Sequence, residues 1–492
     1  MTTQPDKIGV LVVGAGPVGL LCAFLGRLHG LNVLIVDKSS GPTVVGRADA
    51  LNARSQQLLE IVDVHAELYP HGKAVNTSSV WADGKFVSRQ STWWEELQGC
   101  FHKHFLMLGQ SNIEALLVRK LAELDSPVRR DTSVVAVEAV DGGCRSTLST
   151  GEVIESRFVI GADGSRSLVR TAFGIPFEIT RPEIIWAVLD AVVDTDFPKV
   201  PDIIVFQAET SDVAWIPRER DLDRFYIRMD VKEFTLDDVV ARINRAMHPH
   251  KLTLREVDWF SQFSVKESVA ERFSLDDKVF LAGDAAHIHS VNGGQGLNTG
   301  LSDAFNLMWK IGMAAGSDLP RDILRTYEQE RKPVALSVVQ ASGVLVRATK
   351  YSDNGTHAVD YVKILERRSG YITGMGIRYG EDGLAGSRFF DFRVQNRDGS
   401  ESRIYSLLDY RYFTLLVFGD ELPHLDLPLF VRVIQVGDAP GKGDCWSDDC
   451  PYSNQVLLVR PDSYIAARSS IADTAPIADY LHALTTARET AR

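Results

Sequence analysis

Six residues near the N-terminus, Gly14-Ala15-Gly16-Pro17-Val18-Gly19, constrain this chain more than any other stretch. They follow a short apolar run, Ile8 to Val13, and open a helical pattern that runs from Pro17 to about His29, where Gly30 stops it. Val33-Leu34-Ile35-Val36 then reads as a second strand. A glycine turn between strand and helix is the context a dinucleotide fingerprint requires. Gly14 permits the tight turn, Gly16 lets the backbone approach a pyrophosphate, and Gly19 lets helix and strand pack closely. The helix N-terminus offers unpaired N–H groups and a positive dipole end to the phosphates. Asp37, 23 residues after Gly14, is placed to hold a ribose hydroxyl. A carboxylate there favours an adenosine without a 2′-phosphate, as in NAD or FAD.

Two further strand-to-glycine junctions separate those cofactors. Phe158-Val159-Ile160 leads into Gly161-Ala162-Asp163-Gly164-Ser165-Arg166, and Lys278 to Ala282 leads into Gly283-Asp284-Ala285-Ala286-His287. A glycine-rich turn follows, Gly293-Gly294-Gln295-Gly296-Leu297-Asn298. Asp284 can accept hydrogen bonds from a ribityl chain. The helix opened by Gly294 to Asn298 would present its N-terminus to the flavin pyrimidine end, where the reduced ring carries negative charge. Three junctions far apart in sequence predict one nucleotide-binding sheet assembled from separated segments, and FAD as its ligand.

A chain of 492 residues exceeds one hydrophobic core, so several domains are expected. The expected class is α/β: a Rossmann-like FAD/NAD(P)-binding domain split over residues 1–180 and 273–350, an antiparallel substrate sheet inserted at 181–272, linker and loops at 351–400, and a small α/β domain at 401–492. The inserted sheet is read from Ile204-Val205-Phe206, Val213 to Ile216 and Arg224 to Ile227, the last domain from runs at 413–418, 431–436 and 456–459. The net charge of −12 argues against a nucleic-acid partner. Five scattered cysteines without CxxC spacing point to free thiols in a reducing compartment, with neither a zinc site nor a dithiol centre. The polar start Met1 to Lys7 lacks a signal-peptide core, and Arg27, His29 and Asn32 interrupt the apolar stretch after Val10, so a cytoplasmic protein without a membrane span is expected. His287 and His289 lack an evident third ligand for a metal, and no metal is expected. Tyr327 to Pro333 reads as a solvated helix face, and Trp93-Trp94 as a loop at the substrate entrance or a packing pair.

The trio GAGPVG, GADGSRSLVR and VFLAGDAAHIHSVNGGQGLNTGLSDAFNLMWKI resembles the class A flavoprotein monooxygenases, the aromatic hydroxylases, over roughly residues 8–340. The resemblance implies that Asp163 and Gly164 touch both FAD and a nicotinamide cofactor, and that Asp284 binds the ribityl or ribose. It also implies that Arg54 and Gln110 contact FAD phosphate and ribityl groups, with Lys38 and Arg47 counted among the cofactor-binding residues. A narrower resemblance is to the phenol hydroxylase branch. It rests on Arg47-Ala48-Asp49-Ala50, Trp215-Ile216-Pro217-Arg218-Glu219 and Arg224-Phe225-Tyr226-Ile227, and on a tail ending Leu458-Val459-Arg460-Pro461-Asp462 that is similar to the thioredoxin-like domain of that branch. It implies that Asp49 and Tyr226 sit at a substrate hydroxyl with Arg218 near, that NADPH (or NADH) docks transiently near Asp163, Arg166 and Arg224, and that the protein is a homodimer.

The implied reaction is hydroxylation of a small phenol by O2 through a flavin C4a-hydroperoxide, ortho to the existing hydroxyl. A neutral phenol is a sluggish nucleophile, and loss of its proton pushes charge into the ortho and para carbons. Tyr226 can hydrogen-bond the substrate oxygen and Asp49 can draw the proton onward. The family commonly has proline where this chain has Val291, a substrate-side position, which keeps epoxidation or Baeyer–Villiger insertion open as rivals. A non-catalytic FAD-binding protein is the rival of another class.

Overall fold

The computed structural model describes residues 8–44, 46, 48–179, 184–207, 212–229, 231–289, 294–316, 319–347, 363, 366–380 and 385–486. Arg47 and Val291 lie outside them. The fold is mixed α/β, built on three larger sheets.

The first sheet places the nucleotide fingerprint. Strand Ile8–Val13 lies next to its edge, parallel to the edge strand Val33–Val36 on one side and to Val153–Gly161 on the other, which in turn pairs in parallel with Val279–Leu281. Where they pair in parallel, all four are largely apolar and buried, Val153–Gly161 from Phe158 onward, as expected of parallel strands covered on both faces. Their C-terminal ends therefore bring Gly14, Asp37, Gly161 to Gly164 and Gly283-Asp284 to one edge, although up to 270 residues separate them. Helix Pro17–Leu28 starts directly behind Gly16, with proline at its first position, where the missing N–H costs nothing. Helix Gln295–Gly316 is almost wholly buried and packs on it.

The second sheet is antiparallel over strands Ile184–Thr195, Leu252–Val265, Asp223–Met229, Asp212–Pro217 and Ile203–Gln207. Helix Leu236–Met247, opened by a Thr235–Asp238 capping box, covers its outer face. Two of the sheet's seven strands come from outside residues 181–272. Ser78–Ala82 and Lys85–Gln90, from the segment assigned to the nucleotide part, extend its edge through a parallel pairing with Ile203–Gln207. Such a pairing across more than 120 residues leaves no local signal in the hairpin that makes it.

The third sheet carries the C-terminal part, in the order Glu401–Arg403, Arg393–Asn396, Cys445–Trp446, Val431–Gly437, Phe413–Phe418, Gln455–Val459 and Ile465–Ser470, followed by helix Ala475–Thr485. It begins before residue 401, because Arg393–Asn396 lies within the segment expected to be linker. That segment also holds the short helix Ser369–Ile372, which packs into the nucleotide part: Thr373 O accepts from Arg54 N at 3.1 Å.

Tyr327 to Pro333 is not a solvated face. Tyr327 and Arg331 are fully buried, and Glu330 bonds Arg460 of the C-terminal part at 2.7 and 2.9 Å. Charge pattern alone cannot tell a solvated run from one whose partners come from another domain. Trp94 packs edge-on against Phe105 in a small core. Among the described residues no helix is long and apolar enough to cross a membrane.

Candidate active site

The edge of the first sheet and the inner face of the second enclose one cavity of about 1650 Å³. One end is built from the glycine turns. Gly16, Gly164, Gly294 and Gly296 line it, and a Cβ added at any of them would meet no protein atom within 4 Å. Gly14 and Gly19 do the opposite work. A Cβ on Gly14, which has φ +101°, would lie 2.4 Å from Ala162 O, and one on Gly19 would lie 1.9 Å from Gly14 O. These two glycines close the turn against its neighbours, while the other four keep space open.

Polar groups converge on that space. Asp37 lines it while holding its own turn, accepting from Ala15 N at 2.6 Å and Ser39 N at 2.7 Å; Lys38 stands beside it. Asp284 is exposed into the cavity from the turn after Val279–Leu281. Asp163 accepts from Leu168 N and Val169 N with one oxygen, at 2.7 and 3.2 Å, and its other oxygen is buried without a partner. Gln110, opening helix Gln110–Glu123, lines the cavity and donates to Glu114 at 2.7 Å. An open glycine cradle at a helix N-terminus, with ribose- and ribityl-type acceptors around it, fits FAD.

Two expected cofactor residues are placed differently. The Arg54 guanidinium is buried away from the cavity, bonding Asp462 O at 2.7 Å and Tyr405 Oη at 3.3 Å. It ties the C-terminal part to the nucleotide part. The Asn298 side chain spans the turn, accepting from Asn52 N at 2.9 Å and donating to Ala50 O and Gly294 O. Gln295 and Leu297 line the cavity.

His287 bonds Asp303 at 2.6 Å, and Asp303 in turn accepts from Gly283 N and Arg331. This buried chain fixes the turn that carries Asp284. The His289 ring lines the cavity, 4.7 Å from that of His287, and burial followed by the nearby His287 pushes its pKa well down, so it stays neutral. Elsewhere Glu60, His65 and His102 bring possible ligand atoms within 4.8 Å, but Arg403 already contacts Glu60.

At the other end of the cavity the second sheet presents an ionic cluster. Tyr226 Oη donates to Asp49 Oδ1 at 3.3 Å and accepts from Arg224 Nη1 at 3.2 Å. Arg224 also lies 3.4 Å from Asp49 Oδ2 and is gripped by both oxygens of Asp190 at 2.6 Å. Asp190 is directly opposite Arg224 across neighbouring strands, so sheet register sets this bidentate pair. Against the cost of burial, Tyr226, Asp49 and Asp190 hold the Arg224 guanidinium firmly charged. Burial, with Asp49 beside it, pushes the Tyr226 hydroxyl well above the ordinary tyrosine range. The Tyr226 hydroxyl is therefore held neutral between Arg224 and Asp49.

Sequence reasoning placed Arg224 near a nicotinamide, but its side chain is fully buried inside this cluster. It also missed Asp190, although a carboxylate inside an apolar strand signals a buried cationic partner. Arg218, expected at the substrate, does not line the cavity. It binds Glu219 at 2.7 and 2.8 Å and lies 3.5 Å from Asp190, while Glu219 accepts from Gly109 N at 3.1 Å. Arg218 thus joins the cluster to the turn before Gln110.

Fold and site together define an FAD-binding domain of the class A flavoprotein monooxygenases. The chain belongs to the FAD binding domain family, whose model matches residues 7–342. It is 27% identical over 430 residues to 3-hydroxybenzoate 4-monooxygenase of Comamonas testosteroni, covering 78% of this chain and 67% of that one. It is 28% identical over 491 residues to the 12-dehydrotetracycline 5-monooxygenase/anhydrotetracycline 6-monooxygenase of Streptomyces rimosus, covering 93% and 95%. Among solved structures, OxyS anhydrotetracycline hydroxylase from Streptomyces rimosus matches with a TM-score of 0.78 at 25% identity, over 98% of this chain and 100% of that one. The chain spans 53% of an Aspergillus terreus FAD-dependent monooxygenase to which it is 32% identical over 385 residues.

Proposed function

We propose that this protein is an FAD-dependent monooxygenase that hydroxylates a phenolic ring ortho to its hydroxyl, with NADPH (or NADH) as reductant. The observation that carries the reading is the Asp49–Tyr226–Arg224 cluster at the far end of a cavity whose near end fits FAD. Bound FAD would supply, with the nicotinamide and O2, an electrophilic oxygen. The chain's own residues prepare the ring. Asp49, Asp190 and Glu219 face Arg218 and Arg224, so the cluster holds one more carboxylate than guanidinium and has room for a proton. A substrate hydroxyl beside Tyr226 would pass its proton towards Asp49, while Arg224 offsets the charge left on the phenolate. The apolar wall of Val188, Val205, Ala214 and Ile216 would hold the ring dry.

The division of labour follows the same reading. Residues 8–179 apart from the hairpin at 78–90, together with 273–347, would hold FAD; that hairpin and 184–272 would wall the substrate; and the thioredoxin-like part from about Arg393 onward would brace the rest. Within it the protein is a cytoplasmic homodimer; exposed Leu422, Leu429 and Val433 on the C-terminal part support a self-contact, which sedimentation would detect. Two of the relatives bear on substrate by name, one a hydroxybenzoate hydroxylase and one a tetracycline-type oxygenase.

The test is a panel of phenols, from phenol and hydroxybenzoates to polycyclic phenols, scored by stimulated NADPH oxidation and by product mass. The reading expects stimulation with a catechol product. Oxygenated products from ketones or alkenes and never from phenols would overturn it.

A further inference from the structure

The sheet face lining the cavity is laid out in rows by cross-strand register. Ser261, Val188, Tyr226, Ala214 and Val205 form the row that holds the relay tyrosine. Two residues along one way come Asp190 and Arg224, the ionic row. Two residues the other way come Trp186, paired with Phe263 and Arg228, and Gln207, two beyond Val205 on its strand. A step of two keeps the same face, so Trp186 and Gln207 look into the cavity with Tyr226.

Both are buried, at 4% and 2% exposure, and both line the cavity. Each carries a donor with no acceptor, Trp186 Nε1 and Gln207 Nε2. Buried N–H groups almost always find partners, and leaving two orphaned on one wall is costly unless a ligand supplies the acceptor. The residues between them and Tyr226, Val188, Val205 and Ala214, offer none in their side chains.

We propose that Trp186 and Gln207 form a distal recognition site that donates hydrogen bonds to a carbonyl or ether oxygen of the substrate. The proposal rests on the phenol reading and names the substrate class within it: a phenol of two or more fused rings bearing an acceptor on the ring far from the reacting hydroxyl. Strand spacing and rise put the Cα of Gln207 ~12 Å and that of Trp186 ~8 Å from that of Tyr226. A single hydroxylated ring is too short to engage both ends; fused rings lying along the apolar strip are not.

The experiment uses the FAD-loaded full chain and matched naphthols: 2-naphthols carrying an acetyl group at carbon 5, 6 or 7, and isopropyl analogues of the same shape without the acceptor. Dissociation constants are measured by titration calorimetry for the native protein, Gln207→Met and Trp186→Phe. The native protein should prefer at least one acetyl compound over its isopropyl twin by about tenfold, the worth of one buried hydrogen bond. Either substitution should shrink that ratio to within about threefold. A merely structural role would weaken both twins alike and leave the ratio standing, which would overturn the proposal. So would equal binding of all twins by the native protein while naphthols still stimulate NADPH oxidation. If no naphthol binds or stimulates, the phenol reading fails, and this inference with it.

Discussion

On the proposed reading the chemistry narrows to one hydroxyl at Tyr226. It accepts from Arg224 and donates to Asp49, so a phenylalanine would break the path from substrate to carboxylate without touching the glycine cradle. Tyr226→Phe should keep its FAD but lose coupled hydroxylation by about 10²-fold or more, releasing hydrogen peroxide instead. Peroxide and product measured side by side check this, and unchanged coupling would remove Tyr226 from the reaction. Asp284→Ala should purify depleted in FAD, read from the ratio of flavin to protein absorbance. Residues beside a glycine turn were legible in the sequence because the turn itself announces them. Asp190 and the true place of Arg224 were not, because a cross-strand pair joins positions 34 residues apart that carry no shared local signal.

The turns and strands make a sharper prediction, since two glycines of one motif do opposite things. Gly16 has φ −73°, which alanine adopts freely, and a Cβ there meets no protein atom. Gly16→Ala should leave apo stability level or raise it by about 0.5 kcal/mol, while FAD affinity falls because the methyl occupies the pyrophosphate's approach. Gly19→Ala drives a Cβ into Gly14 O and should cost about 1–3 kcal/mol of stability before any cofactor is added. Thermal melts with and without FAD separate the two. The strands of the nucleotide sheet were readable because each carries a short apolar run, and three of the four lead into a glycine turn. The hairpin at 78–90 was not assigned to the substrate sheet, since its partner strand lies on the far side of the parallel sheet in sequence.

At the scale of the whole molecule, the C-terminal part is fastened to the nucleotide part by buried charges. Arg460 bonds Glu330 and Asp462, and its guanidinium also lies over the Trp309 ring at 5.1 Å. Although burial opposes it, Arg460 and Lys310 hold the Glu330 carboxyl far below the usual range. Arg460→Met would strand two carboxylates and should cost about 3–5 kcal/mol, measured by urea unfolding. Asp391 behaves in the opposite sense: burial pushes its carboxyl up to about 7, with Arg403 pulling the other way. Its contribution to stability is full below the unfolded value of about 4 and is lost as pH rises through about 7. Asp391→Asn should therefore gain on the native protein by a few kcal/mol between pH 4 and pH 8, and a difference that is flat with pH would contradict this. The runs of the C-terminal strands were visible in the sequence, but the ion pairs that bind this part to helices Gln295–Gly316 and Thr326–Arg347 were not, because half of each pair belongs to another domain.

On the proposed reading, the cavity joins an FAD site to a phenol-activating cluster. The most direct measurement supplies ¹⁸O2 and NADPH to the FAD-loaded protein with a polycyclic phenol and follows the product by mass. One ¹⁸O atom is expected in a catechol, formed at a rate that falls with Tyr226→Phe. A product that carries no ¹⁸O, or NADPH oxidation that no phenol accelerates, would contradict it.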